Sequence, residues 1–152
     1  MTRPWNSRSR SERGSALIEV TFLMIVLLLP LFYLVGTVGR LQAGAYAASG
    51  AAREAGRAYV TSPDDVSAPA RSLAAAQFVF DAHGFDSGEG NIAVVCATSP
   101  CLTPGSALEI NSTVQVPLPL IPSFMSGAVP TSITMTGRHT EPVDEFRARS
   151  SP

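Results

Sequence analysis

Residues 13–19 read Arg13-Gly14-Ser15-Ala16-Leu17-Ile18-Glu19, and they open an apolar run that continues from Val20 to Gly39 without a charge. Those 20 residues match the roughly 20 that a helix needs to cross the ~30 Å hydrocarbon core of a bilayer. The length predicts one transmembrane helix. Arg3, Arg8, Arg10 and Arg13 precede the run, opposed only by Glu12. Basic residues are retained on the cytoplasmic side, so the predicted N-terminus is inside and everything after Arg40 outside. One alternative is a buried helix of a soluble protein; Leu27, Leu28 and Leu29 are consecutive in a run that is apolar all round, which argues against it. A cleaved secretory signal is the other alternative, because Ala43-Gly44-Ala45 and Ala45-Tyr46-Ala47 resemble A-x-A sites. Its apolar core usually has about 7–15 residues, fewer than this run, and ordinary signal peptidase gives no reason for Glu19. Pro30 lies mid-run. It removes a backbone hydrogen bond and predicts a kink, which a membrane helix tolerates by local repair.

Glu19 is the informative residue. A carboxylate at the centre of a span costs about 2.5–3.5 kcal/mol on insertion scales, and less near the interface. One reading is a carboxylate close enough to the interface to reach water. The other uses its position: a cut after Gly14 would make Glu19 the fifth residue and create an α-amine on Ser15. That amine is a cation suited to the Glu19 carboxylate, on the same chain or a neighbour's. The cut would also remove four of the 11 basic residues and one of the 12 acidic ones, leaving a net charge of -4.

The segment Arg13-Gly14-Ser15-Ala16-Leu17-Ile18-Glu19 resembles the prepilin peptidase site of type IV pilin-like proteins. The later Ala51-Ala52-Arg53-Glu54-Ala55-Gly56-Arg57-Ala58 resembles a segment of the TadE-like pseudopilins of tight-adherence (Flp) pilus systems. The likeness covers residues 13–60, and the remainder agrees only in general layout. Two positions depart from it: Val20 stands where an aromatic residue often follows the glutamate, and Ser15 stands where mature type IV pilins commonly begin with Phe. The resemblance implies a bacterial membrane protein that is a prepilin peptidase substrate. It implies processing at Arg13, Gly14 and Ser15, subunit registration by Glu19, and a family-like motif at Ala52, Arg53, Glu54, Ala55 and Arg57. It further implies a role in pilus biogenesis and adhesion, with partners among a major Flp pilin, other pseudopilins, the peptidase and the inner-membrane assembly platform. A single-pass anchored binding module that never enters a filament is the alternative.

From Leu41 to Val60 there is no proline and much alanine, so the helix is expected to continue beyond the span as a spine. Leu34, Val38, Leu41, Ala45, Ala48, Ala52, Ala55 and Tyr59 trace a heptad-like seam. Small residues on it permit close approach, either to the chain's own head or to sister helices. Helix packing is thus expected at Leu41, Ala45, Ala48, Ala52, Ala55 and Tyr59.

The expected fold is α+β: the long N-terminal helix, a second helix, and an antiparallel sheet of about three strands. The organisation is a basic leader (1–14), a transmembrane helix and spine (15–60), a small head (61–143) and a flexible tail (144–152). Thr61-Ser62-Pro63-Asp64-Asp65 stops the spine. Ser67 or Asp65 is expected to cap the second helix, with Pro69 in its first turn and Gly84 beyond its end. Leu73, Ala76, Val79, Phe80 and His83 form its expected apolar side. Strands are expected over Asn91–Thr98, Ala107–Val116 and Ser132–Thr140. The apolar Pro117-Leu118-Pro119-Leu120-Ile121-Pro122 stretch, with Phe124 and Met125, is unsuited to a central strand and reads as a loop or contact surface. Residues 141–152 are polar, with Val143 and Phe146 as potential tethers. Cys96 and Cys101 are the only cysteines, and outside the membrane a disulfide is favoured.

Several functions find no support. A net charge of -1 gives no basic surface for nucleic acid. All 11 basic residues are arginine. Asp81, Asp86, Glu89 and Asn91 fail the spacing of a calcium loop, and two cysteines do not make a zinc site. No phosphate loop or nucleophile elbow is present, and neither His83 nor His139 has an evident partner in sequence. The reading is a non-enzymatic membrane protein without cofactor or metal.

Overall fold

The computed structural model describes residues 12–118 and 130–147. Its elements are α1 (Glu12–Val60), α2 (Ala68–Ala82), β1 (Gly90–Cys96), β2 (Ala107–Pro117) and β3 (Ser132–Pro142). The fold is α+β, with an antiparallel sheet in the order β1-β2-β3. The chain divides into two compact units between Thr37 and Val38. The last part of α1, from Val38 to Val60, therefore belongs to the head.

In the first unit α1 is helical through Pro30. Its apolar side chains are exposed on every side: Leu17, Phe22, Leu27, Phe32 and Val35 all face outward from the protein. Thr21 donates its hydroxyl to the Leu17 carbonyl and Thr37 to that of Tyr33, each at 2.8 Å. Both polar side chains are thereby satisfied within the helix, as an apolar surrounding requires.

The second unit is built on two rows along α1, all small residues apart from Tyr59 at the end of one. Gly44, Ala48, Ala52 and Gly56 form one row, and Ala47, Ala51, Ala55 and Tyr59 the other; all are buried. The rows recur at i,i+4, so they share one face. That face meets the sheet. Gly44 abuts Val116, Met135 and Phe85, while Gly56 abuts Glu141, Ile110 and His139. Gly137 on β3 meets backbone rather than side chain: an added Cβ there would lie 2.5 Å from the carbonyl carbon and oxygen of Ala48. Helix and strand backbones touch there, which only small residues on both sides allow.

Ala45 departs from the expected seam: it is exposed. The seam stepped alternately by four and three, whereas the buried rows step by four throughout, which turns Ala45 away from the sheet. The covered face of α2 also differs from expectation. It is Ala68, Ser72, Ala76 and Phe80, with Val79 reaching Gly50 of α1, while Leu73 is 42% exposed. Burial here follows helical phase: Ala68, Ser72, Ala76 and Phe80 recur at i,i+4 on one face, and Leu73 lies one residue off that row.

β2 is central and alternates strictly. Leu108, Ile110, Ser112, Val114 and Val116 point into the core and their neighbours point out. Burying each large apolar side chain contributes roughly 1.5–3 kcal/mol, so Leu108, Ile110, Val114 and Val116, with Phe80 and Phe85, form the main cohesive set. β1 and β3 are longer or shorter than expected by up to two residues, and β3 continues through Glu141 and Pro142. Val143 is buried, but Phe146 is 87% exposed. The tail is tied instead by Arg147, which donates to the carbonyls of Val60 and Ser62. The expected flexible tail from residue 144 is thus anchored as far as Arg147, and residues 148–152 lie outside the described part. Pro119 to Pro122, Phe124 and Met125 of the apolar loop also lie outside it.

The hydroxyls of Ser72 and Ser112 are buried without a hydrogen-bond partner among the described residues. An orphaned buried hydroxyl carries a desolvation cost of about 1–3 kcal/mol. Ser112→Ala removes the orphan while keeping the side chain small. It is expected to leave stability unchanged or raise it by ~1 kcal/mol, read as an equal or higher urea midpoint; a clear drop would show that Ser112 has a partner.

Candidate functional site

Three groups of residues carry the chemistry of this chain: the start of α1, the two arginines that close the helix ends, and the disulfide loop. Arg13, Gly14 and Ser15 fall inside α1 as its first turn. Glu19 follows one turn later and is exposed among Ile18 and Val20, which are 71% and 57% exposed. Among the described residues two ion pairs form, Arg138–Glu109 and His139–Glu141, and neither involves Glu19. The carboxylate is therefore offered outward from an apolar helix. The helix from Ala16 to Val60 has a window of mean hydropathy 2.5 with none of it buried, and it is long and apolar enough to cross a membrane.

Within the motif from Ala52 to Arg57 the structure separates two roles. Ala52, Ala55 and Gly56 lie under the sheet, whereas Arg53, Glu54 and Arg57 are exposed. Of the expected packing residues, Ala48, Ala52, Ala55 and Tyr59 are covered by the chain's own head, Leu41 is partly covered, and Ala45 is open. The small residues of α1 thus have an internal use, while its charged residues remain available.

Sequence reasoning missed Arg40 and Arg147. Arg40 is the first charge after the apolar run. Its guanidinium lies 4.8 Å from the centroid of Phe85 and donates to the Gly84 carbonyl at 3.3 Å. Gly84 follows α2 with φ of +72°, so Arg40 places a cation at the helix's negative end and over an aromatic face. Arg147 does the same for α1 through Val60 and Ser62. Each helix C-terminus is closed by an arginine distant in sequence, a pairing that local caps cannot reveal.

Neither expected cap, Ser67 nor Asp65, supplies a side-chain cap to α2. Ser67 precedes α2 but makes no side-chain cap bond; the Asp64 carboxylate accepts the Ser67 N–H at 2.7 Å. These bonds from Ser67 hold the Asp64 carboxyl below its usual range. Asp65 instead accepts the N–H of Leu102 at 3.0 Å, joining the turn after α1 to the loop that carries the disulfide. That disulfide links Cys96 and Cys101. Closing a loop this short contributes about 2 kcal/mol through the unfolded state. Reduction is expected to add two mass units and lower the unfolding midpoint, while leaving α1 helical by circular dichroism; an unchanged midpoint would show that the link is idle.

Tyr59 is buried. Desolvation, and secondly the Asp65 charge, push its phenol above the ordinary value of 10.0. The unfolded chain then releases that proton first, so stability held below pH ~10 falls as pH rises through the folded value. Melting curves in alkali should show a loss that Tyr59→Phe abolishes; an identical alkaline loss in Tyr59→Phe would rule out Tyr59 as its source.

His139 lacked an evident partner in sequence, yet its Nε2 lies 2.7 Å from Glu141 Oε2. The two are adjacent on one face because strand side chains repeat every second residue, a signal available beforehand. They border Gly56 of α1. His83 caps the end of α2 with its Nδ1 2.9 Å from the Val79 carbonyl. No cluster of metal-ligating side chains occurs among the described residues. In the acidic loop, Glu89 accepts the Asp86 N–H at 2.9 Å, which makes the loop a self-bonded turn.

Together these features define a small disulfide-bonded α+β head on a helix long and apolar enough to span a membrane. The chain matches no protein-family model, no curated protein and no solved structure.

Proposed function

We propose that the chain is a TadE-like pseudopilin or minor pilin of a tight-adherence (Flp) pilus. It is cut after Gly14, held in the cytoplasmic membrane with its head outside, and assembled through its N-terminal helix. The observation that carries this reading is the continuity of α1. One helix begins at the Arg13-Gly14-Ser15 motif, contains Glu19, runs through the apolar stretch and enters the head without interruption. A subunit built this way can leave the bilayer as a unit, since the segment that anchors it also scaffolds the head.

Glu19 supports the reading because it has no ion-pair partner within the described residues. A cut after Gly14 supplies one, the new α-amine of Ser15, from this chain or a sister. The partners would be a major Flp pilin, other pseudopilins, the prepilin peptidase and the inner-membrane platform. Intact mass of the protein from native membranes tests the proposal. A mature chain starting at Ser15 agrees with it. A start after Ala45 or Ala47 would mean a secreted head and sink it, and an uncut chain would leave a plain membrane-anchored binding module.

A further inference from the structure

β3 is an edge strand. The phase of its pairing with β2 is set by two bonds that flank the ladder: Leu118 donates to the Thr131 carbonyl, and Val143 donates to the Ser106 carbonyl. Both pairs obey the β2–β3 register. In an antiparallel ladder, residues that exchange bonds with the partner alternate with residues whose N–H and C=O point away. The odd residues of β3 therefore bond to β2. The even residues Ser132, Thr134, Thr136, Arg138 and Thr140 direct both backbone groups away from β2, to an edge that pairs with no further strand among the described residues. Their side chains share the sheet face opposite α1.

On that face the pairs Asn111–Arg138 and Thr113–Thr136 stand around a floor formed by Ser112 and Gly137. They enclose a depression of about 370 Å³. Its donors are pre-set. Arg138 Nε is held by Asn111 Oδ1 at 3.0 Å and by Glu109 Oε1 at 3.3 Å. Asn111 Nδ2 in turn donates to Glu109 Oε1 at 2.8 Å. The two terminal nitrogens of Arg138 and the hydroxyls of Thr113 and Thr136 have no protein partner among the described residues. The acceptors nearby, Asn111 Oδ1 and Glu109 Oε1, are already engaged. Beside the second Glu109 oxygen, the groups left for a ligand are the two terminal nitrogens of the Arg138 guanidinium and two hydroxyls, a donor set that suits a carboxylate.

We propose that the free edge of β3 takes an extended acidic peptide as a fourth strand, one of whose carboxylates is held by Arg138 with Thr113 and Thr136. Backbone pairing supplies the attraction, as in other strand additions. The carboxylate sets register and selects the partner, because Glu109 already offsets the Arg138 charge and limits its long-range pull. A basic strand would place like charge beside Arg138 and be rejected. The site is independent of the pilus reading, since it needs only the head.

The test uses the full chain in detergent and a fluorescent, end-blocked heptapeptide of alternating valine and threonine with one central glutamate. Anisotropy should show saturable binding, and replacing that glutamate by glutamine should weaken it about tenfold. Arg138→Gln should bind both peptides equally weakly with an unchanged melting temperature, since this side chain is 72% exposed. Thr136→Pro removes one outward N–H and no ladder bond, so it should abolish binding of both peptides while the head stays folded. Equal affinity for the glutamate and glutamine peptides would overturn the proposal, as would full binding to Thr136→Pro. Self-association of the free chain that Thr136→Pro abolishes would overturn it too, by assigning the edge to a second copy.

Discussion

A methyl group on Gly137 is expected to destabilise the head strongly. The added Cβ of Gly137→Ala would stand 2.5 Å from the carbonyl carbon and oxygen of Ala48 and 2.7 Å from the nitrogen of Ser49. These are backbone atoms inside a helix, so no rotamer change clears them. Either α1 lifts from the sheet or β3 bends away, and each opens the contact that buries Ala48, Ala52 and Ile110. Overpacking costs about 1–3 kcal/mol and sometimes more; rigid obstacles put this case at or above ~3 kcal/mol. For a head of this size that is a fall in melting temperature of roughly 10–20 °C. Gly56→Ala is the contrast. Its Cβ would meet side-chain atoms of Glu141, Ile110 and His139 at 3.3–3.5 Å, which can give slightly. The helix meanwhile gains up to ~1 kcal/mol of propensity. Stability of Gly56→Ala should be near that of the parent. If Gly137→Ala melts within a few degrees of the parent, the backbone contact is not what joins helix to sheet.

The same contact explains what could and could not be read in the sequence. Period and composition were sufficient for α1, α2 and three strands, because an apolar run, an alanine-rich helix and β-branched alternation each leave a local trace. The face of each helix was less legible. In α1 nearly every position from Ala43 to Ala58 is small enough to be buried, so the pattern admits several seams. The one adopted is decided by Gly137 on another element. In α2 the buried row is Ala68, Ser72, Ala76 and Phe80, and its phase, which leaves Leu73 outside, is set by what the helix packs against rather than by its own apolar residues. Arg40 and Arg147 were invisible for a related reason: each closes a helix to which it is not adjacent in sequence. His139 and Glu141, by contrast, were two residues apart on a strand, and their pairing was there to be found. Neither the processing site nor the assembly role of Glu19 is a matter of fold, and both still rest on the resemblance of residues 13–60.

Glu19→Ala is expected to leave the protein in the membrane and take it out of the filament. The two effects separate because they draw on different states of the carboxylate. During insertion Glu19 is a cost of up to about 2.5–3.5 kcal/mol, reduced near the interface, so alanine makes insertion no harder. In the proposed assembly of a chain cut after Gly14, the α-amine of Ser15 would enter a crowded apolar bundle as a cation. Without the carboxylate that cation is buried unpaired, and breaking one side of a buried pair costs about 3–5 kcal/mol. Filament incorporation should therefore fall by a factor of ten or more, since ~1.4 kcal/mol already corresponds to tenfold. Carbonate extraction should show Glu19→Ala still integral, and its mass should still begin at Ser15. Glu19→Asp keeps the charge on a shorter arm and should recover part of the yield, whereas Glu19→Gln keeps the size without the charge and should not. That ordering distinguishes an electrostatic register from simple packing, for which glutamine would serve best. Normal incorporation of Glu19→Ala would remove the registration role, and the carboxylate would then be one that merely reaches water at the interface.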